Sequence, residues 1–240
     1  NDQVRFESVL QIIDPEITVL APIRDMKLSR DEEINYLTDA GFDYHSGNSK
    51  YSINKGLWGT SVGGMETLTS DLELPGEAYP SQPVKEESEL INISFIKGEP
   101  TALNGKEFSD KVKLISELEG IANLFAVGRD VHVGETIIGI KGRVGFQAAA
   151  ARILIDAHYS LEKHTLSKWQ QHWKEQLGNW YGLFVHESQF LDPVMRDIES
   201  FLHNSQRYVS GNVSIRLRPY TYHITGVKSD HDLMNPEFAK

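Results

Sequence analysis

Three short stretches hold polar residues at spacings that suit ligand chemistry. The first opens the chain. Asn1, Asp2 and Arg5 fall within one helical turn, with Asn1 and Arg5 sharing a face at i, i+4. A helix N-terminus presents free N–H groups and favours anions. An amide, a carboxylate and a guanidinium there suit a zwitterionic amino acid, its carboxylate on Arg5 or the N–H groups and its ammonium on Asp2. The same residues also make an ordinary capped, solvated helix end. The second stretch runs from Tyr51 to Gly64 and interleaves Gly56, Gly59, Gly63 and Gly64 with Ser52, Thr60 and Ser61. Glycines let backbone approach a ligand closely, and Ser52 and Ser61 each offer it a hydroxyl. The other reading is a cluster of glycine-rich turns. The third stretch carries Glu135, Lys141 and Arg143 among the glycines at 128, 134, 139, 142 and 145. Here a lone glutamate suits a ligand ammonium, and the alternative is a strand pair with charges on its solvent face.

Other chemistries find no support. The nine histidines include no HExxH spacing, and His158, His164 and His172 match no metal-ligand pattern. No Gly-x-Ser-x-Gly elbow supplies a hydrolase nucleophile, and no Gly-Lys-Ser/Thr supplies a phosphate loop. The chain has no cysteine, which removes disulfides, thiolate metal sites and thiol nucleophiles and fits a reducing compartment. Its 240 residues carry 34 acidic against 24 basic groups, a net charge of −10 that argues against non-specific nucleic-acid binding. No apolar run approaches the ~18 residues of a membrane span.

The elements that must position these residues follow from periodicity. Val4, Phe6, Val9, Leu10, Ile12 and Ile13 predict a helix stopped at Asp14-Pro15. Ile17–Leu20 reads as a buried strand. A capping box at Ser29–Glu32 opens another helix, with Gly41 past its end. Residues 1–45 therefore read helix–strand–helix, a remnant of an α/β layer. Residues 46–89 read as glycine-rich turns followed by a long exposed loop. Beyond it come strands at 90–96 and 101–103, a helix capped by Ser109, and a β-rich segment at 130–140. Helices follow at 145–164, 167–187 and 192–208, and strands at 213–217 and 220–227. Trp169, Trp173 and Trp180 lie at helical spacing and read as core or subunit interface. The expected class is α+β: a mixed or antiparallel sheet with long helices over 46–240, preceded by the remnant at 1–45.

Together and in order, these stretches resemble argininosuccinate synthases. Asn1-Asp2-Gln3-Val4-Arg5-Phe6 is similar to that family's motif at a helix start. Ala21-Pro22 is similar to its next strand end. Tyr51 to Gly59 with Ser61 resembles its serine-bearing citrulline loop, and Gly128-Arg129 through Lys141 and Arg143 its Gly-Arg…Gly-x-Lys-x-Arg segment. The resemblance implies a cytoplasmic ligase of arginine biosynthesis. It joins citrulline to aspartate at the expense of ATP, releasing AMP and pyrophosphate through a citrulline-adenylate. It further implies Asn1 and Asp2 on aspartate, and Asn1, Arg5, Ser52 and Ser61 on citrulline. Catalysis in such a site is mostly the positioning of two bound partners and requires no covalent protein intermediate; no metal ligands are expected, from the histidine spacing above. The family is typically a homotetramer. Its Glu-Asn-Arg, with a tyrosine twelve residues after the glutamate, aligns here with Gly134 and Phe146. Glu135, one residue on, is expected to stand in for the glutamate. Phe146 lacks the tyrosine hydroxyl, so one substrate hydrogen bond is lost or moved. The family's N-terminal pyrophosphate-grasping motif is absent. The chain is therefore expected to correspond to the C-terminal portion, to bind no ATP or Mg by itself and to be inactive alone. The alternative is a non-catalytic amino-acid-binding or assembly module on the same fold.

Overall fold

The computed structural model describes residues 2–42, 50–136, 138–234 and 237. The chain divides into two compact units, Asn1–Lys50 and Tyr51–Lys240. In the first, α1 (Asp2–Ile13) is followed by α2 (Pro22–Met26) and α3 (Arg30–Asp39). The Ser29 hydroxyl accepts from the Glu32 amide, and the Glu32 carboxylate accepts from the Ser29 amide 2.7 Å away, the reciprocal box that the sequence announces. Arg24 of α2 reaches Glu7 of α1 at 3.1 Å. The strand expected at Ile17–Leu20 does not form. Those residues have no ladder partner among the described residues and are largely exposed, Leu20 at 83%. An extended β-branched run becomes a strand only when a neighbour takes its N–H and C=O groups.

The second unit holds two antiparallel sheets. The five-stranded sheet has the order β5 (Lys106–Glu107), β4 (Glu99–Leu103), β3 (Glu89–Ile96), β8 (Gly211–Arg218), β9 (Thr221–Lys228). Alternation along β3 and β8 turns Ile91, Ile93 and Phe95, and Val213, Ile215 and Leu217, to one face. That face packs on α4 (Lys111–Asn123) and α5 (Ala149–Thr165) through Leu114, Leu118, Ile153 and Leu161. On the opposite face Ser94 and Ser214 donate to Asn212 and Asn92 across the strands, each at 2.6 Å. The cap of α4 is Asp110, whose carboxylate accepts from the Val112 amide, and not Ser109. The N-terminus of α5 has no side-chain cap of its own; its Ala150 amide donates to Glu119 of α4 at 2.7 Å.

The four-stranded sheet has the order β1 (Ser52–Gly56), β2 (Gly59–Gly63), β7 (Lys141–Gln147), β6 (Arg129–Glu135). Two expectations are corrected here. Residues 52–63, read as turns, form a β-hairpin around Leu57-Trp58, with Gly59 at φ +144°. The helix read from Gly145 begins only at Ala149, because residues up to Gln147 pair with both β2 and β6. The alanine run seeds the helix, but sheet partners on both sides claim the residues before it. The segment read as a long exposed loop is irregular yet anchored: Leu74 and Ala78 are buried against Val62.

The last two helices are α6 (Lys168–His186) and α7 (Val194–Ser205). No residue of α6 is buried, and Trp169, Trp173 and Trp180 are 64%, 56% and 54% exposed, so the tryptophan stripe is not core. Beneath α6, Glu162 of α5 is fully buried and accepts from Lys174 and Gln206, both at 2.8 Å. His158 meets the Gln206 amide oxygen through Nε2 at 2.8 Å, and its Nδ1 lies 3.8 Å from Glu162. Burial pushes the His158 imidazole below its usual 6.5, against the opposing pull of Glu162, with Lys174 adding to the lowering. Below about pH 6.5 the unfolded chain takes up a proton that the folded chain resists. The melting temperature is therefore expected to hold above that pH and fall below it. His158→Gln should flatten that part of the profile.

Candidate functional site

The ladder register of the four-stranded sheet decides which predicted residues meet. Directly paired residues of antiparallel strands point to the same face, and neighbours along a strand to opposite faces. Asn54 pairs with Ser61, Ser61 with Phe146, and Phe146 with Asp130. These four side chains form one row across all four strands. One step along, Ser52 pairs with Gly63 and Val144 with His132; a further step brings Gly134 opposite Gly142. Ser52, Ser61 and Phe146 thus share one face. An open cavity of about 540 Å³ lies at its end, lined by Asn54, Leu57, Trp58, Ser61, Phe146 and Ala148.

Glu135, expected to stand in beside Phe146, is on the other face. It pairs with Lys141 in the ladder and forms an ion pair with it, and that hydrogen bond holds its carboxyl below the usual range. The period of two makes this unavoidable: a shift of one residue from 134 to 135 moves the side chain through the sheet. Arg143 is on that same back face and serves the scaffold, donating to the carbonyls of Glu66 and Thr69 at 2.9 and 2.8 Å. Arg129 lies between the rings of Tyr79 and Tyr220, 4.8 and 5.2 Å from their centroids, and donates to the Ser81 carbonyl. Gln147, 1% exposed, donates to Ser81 and Asn123. The back face is therefore the packed side of the sheet, and the front face is the open one.

Asn54, Asp130 and His132 join the front face without having been singled out from the sequence. Their signal is the spacing Ser52-x-Asn54 and Asp130-x-His132-x-Gly134, which acquires meaning only with the register. Asp130 is held by Arg152 at 2.6 Å, which keeps its carboxyl below the usual range. The remaining predicted residues belong to the first unit. Asp2 is the first residue of α1 and Arg5, half-buried, lies within its first turn. Asn1 and the Asp2 side chain lie outside what is described. Among the described residues no group of three or more His, Asp or Glu side chains converges as a metal site. Among the described residues no helix is long and apolar enough to cross a membrane.

A cavity of about 940 Å³ lies elsewhere, beside Ser94, Asn212, Ser210 and Ser229 at the five-stranded sheet. Within it Ser94 donates to Asn212, and Ser229 to the Ser210 carbonyl.

Comparison with known proteins covers both units. Residues 51–240 match the family described as the arginosuccinate synthase C-terminal domain, and residues 1–43 the arginosuccinate synthase N-terminal HUP domain. Among curated relatives, the argininosuccinate synthase of Methanocaldococcus jannaschii is 35% identical over 242 residues, covering all of this chain and 61% of the relative. Those of Dictyoglomus turgidum and Methanococcus maripaludis are 34% and 33% identical, with all of this chain and 60% and 61% of the relative covered. The chain thus spans about 60% of the length of the relatives it matches. With matches to both domain types in order along an α+β chain, this protein belongs to the argininosuccinate synthase family.

Proposed function

We propose that the open face of the four-stranded sheet holds citrulline, and that the start of α1 holds aspartate, in a ligase that forms argininosuccinate. The observation that carries this reading is the row that sets Ser61 beside Phe146, with Ser52 one step away on the same face. Hydroxyls of Ser52 and Ser61 both donate and accept, which suits a neutral ureido group on an amino-acid zwitterion. The Phe146 ring offers an apolar wall to the methylene stem. Asn1, Asp2 and Arg5 supply an amide, a carboxylate and a guanidinium to the two amino acids, Arg5 through charge-assisted hydrogen bonds. Glu135 takes no part in this reading, since it faces away and is bound to Lys141. Catalysis is then chiefly the positioning of two bound reactants.

ATP with Mg would supply the activation: transfer of AMP to the ureido oxygen would release pyrophosphate, and the aspartate amine would then displace AMP. Among the described residues no group of three or more His, Asp or Glu side chains converges to hold a metal ion. No residue here is assigned to ATP or Mg. The same reading makes the protein a cytoplasmic homotetramer of arginine biosynthesis with no nucleic-acid or membrane partner. Light scattering tests the assembly.

The 240-residue chain is expected to bind citrulline in a calorimeter without releasing AMP. Ser52→Ala and Ser61→Ala should each weaken binding roughly two- to tenfold, the worth of one uncharged hydrogen bond. AMP release by the enzyme carrying these residues should need citrulline and aspartate together. ATP turnover indifferent to citrulline would overturn the reading.

A further inference from the structure

On the face that carries Ser52, Ser61 and Phe146, strand β6 contributes Asp130, His132 and Gly134. The Asp130 carboxylate is engaged by Arg152. His132 is exposed, and among the described residues its imidazole makes no hydrogen bond. Its position is particular. A Cβ built on Gly134 would lie 2.5 Å from His132 Nε2 and 3.2 Å from its Cδ2. The ring therefore leans along the strand and occupies the space that any side chain at 134 would take. The ladder partner of Gly134 is Gly142, where a Cβ would meet nothing within 4 Å. Two facing glycines leave a bare patch, and the imidazole is the polar group standing over it. Neutral or protonated, an imidazole keeps at least one N–H donor.

We propose that His132 is a further substrate-binding residue of this face. Its N–H donates to an acceptor oxygen of the ureido amino acid, the carboxylate or the ureido carbonyl, and Gly134 is the residue that gives it room. This rests on the reading of the face as the citrulline site. The glycine and the histidine form one device: the absence of a side chain at 134 matters because it sets where the ring of 132 stands. Gly134 itself has no left-handed backbone angle, so alanine fits its backbone and perturbs only the ring.

Calorimetric titration of the 240-residue chain with citrulline tests this, with Ser61→Ala as the control for the face. His132→Leu should weaken binding on the order of tenfold or more, as loss of a donor to a polar ligand does. Gly134→Ala should weaken it comparably by displacing the ring, and the double variant should bind no worse than His132→Leu alone. His132→Gln, which keeps an N–H near the same place, should recover most of the affinity. N-carbamoylputrescine, the analogue lacking the carboxylate, separates the two oxygens: if the His132→Leu loss disappears with it, the carboxylate is the acceptor, and if it persists, the ureido carbonyl is. Wild-type affinity in His132→Leu alongside a weakened Ser61→Ala would overturn the role of His132 and leave the face standing. Failure of the unaltered chain to bind citrulline would overturn both.

Discussion

Gly128→Ala is expected to cost roughly 2–6 kcal/mol of folding stability, a large share of what a domain possesses. Two independent terms add. Gly128 has φ +80°, a backbone conformation that an L side chain enters only with strain. A Cβ there would also lie 2.6 Å from Ala149 Cα, 2.7 Å from the Ala149 nitrogen and 2.8 Å from the Ala148 carbonyl carbon. These are backbone atoms at the β7–α5 junction and cannot swing aside as a side-chain tip would. The Ala148 amide also donates to the Gly128 carbonyl at 3.0 Å, so the two segments are tied where they touch. Because β6 starts at the next residue, displacement here would shift Asp130 and His132 as well. Gly139→Ala is the control. It has φ +81° but nothing within 4 Å of its Cβ, so only the conformational term of about 1 kcal/mol should remain. Urea denaturation of both variants measures the difference. A loss at 128 no larger than at 139 would show that the junction gives way freely.

Lys174→Met is the second large expected effect. Glu162 has no exposure at all, and Lys174 of α6 is its charged partner at 2.8 Å. Removing one member of a buried ion pair leaves the other charge uncompensated, typically at about 3–5 kcal/mol. The Lys174 side chain is 24% exposed, so water softens the environment and about 3 kcal/mol is the better expectation. The reverse change is milder. Glu162→Gln removes the buried charge itself and leaves Lys174 free to turn to solvent, so about 1–2 kcal/mol is expected from imperfect hydrogen bonding to Gln206. The order of the two losses in urea is the test. Equal losses would mean that hydrogen bonding, rather than an uncompensated charge, dominates the cluster. Since α6 has no buried residue, Lys174→Met should also loosen that helix first, visible as faster amide exchange over 168–186.

What the sequence by itself determined is local. The Ser29–Glu32 box, the stop at Asp14-Pro15 and the strand character of β3 and β8 depend on residues a few positions apart. Their energetics are complete within one turn or one strand. The family, too, was legible, because the opening helix, the serine segment and the Gly-Arg segment are contiguous motifs in a particular order. Tertiary structure decided what depends on a neighbour distant in the chain. Ile17–Leu20 has strand-forming residues and no partner among the described residues, so it stays irregular. Gly145–Gln147 sit beside a helix-forming run and become strand because β2 and β6 lie on either side. The tryptophans of α6 have core-like chemistry and an exposed address. The candidate site turns on the same distinction. Types and spacing picked out Ser52, Ser61 and Glu135, and the family resemblance joined them and added Phe146, but the face each one occupies is a property of the ladder register, where one position of offset sends a side chain through the sheet. Register placed Glu135 with Lys141 behind, and it brought His132 over Gly134 in front.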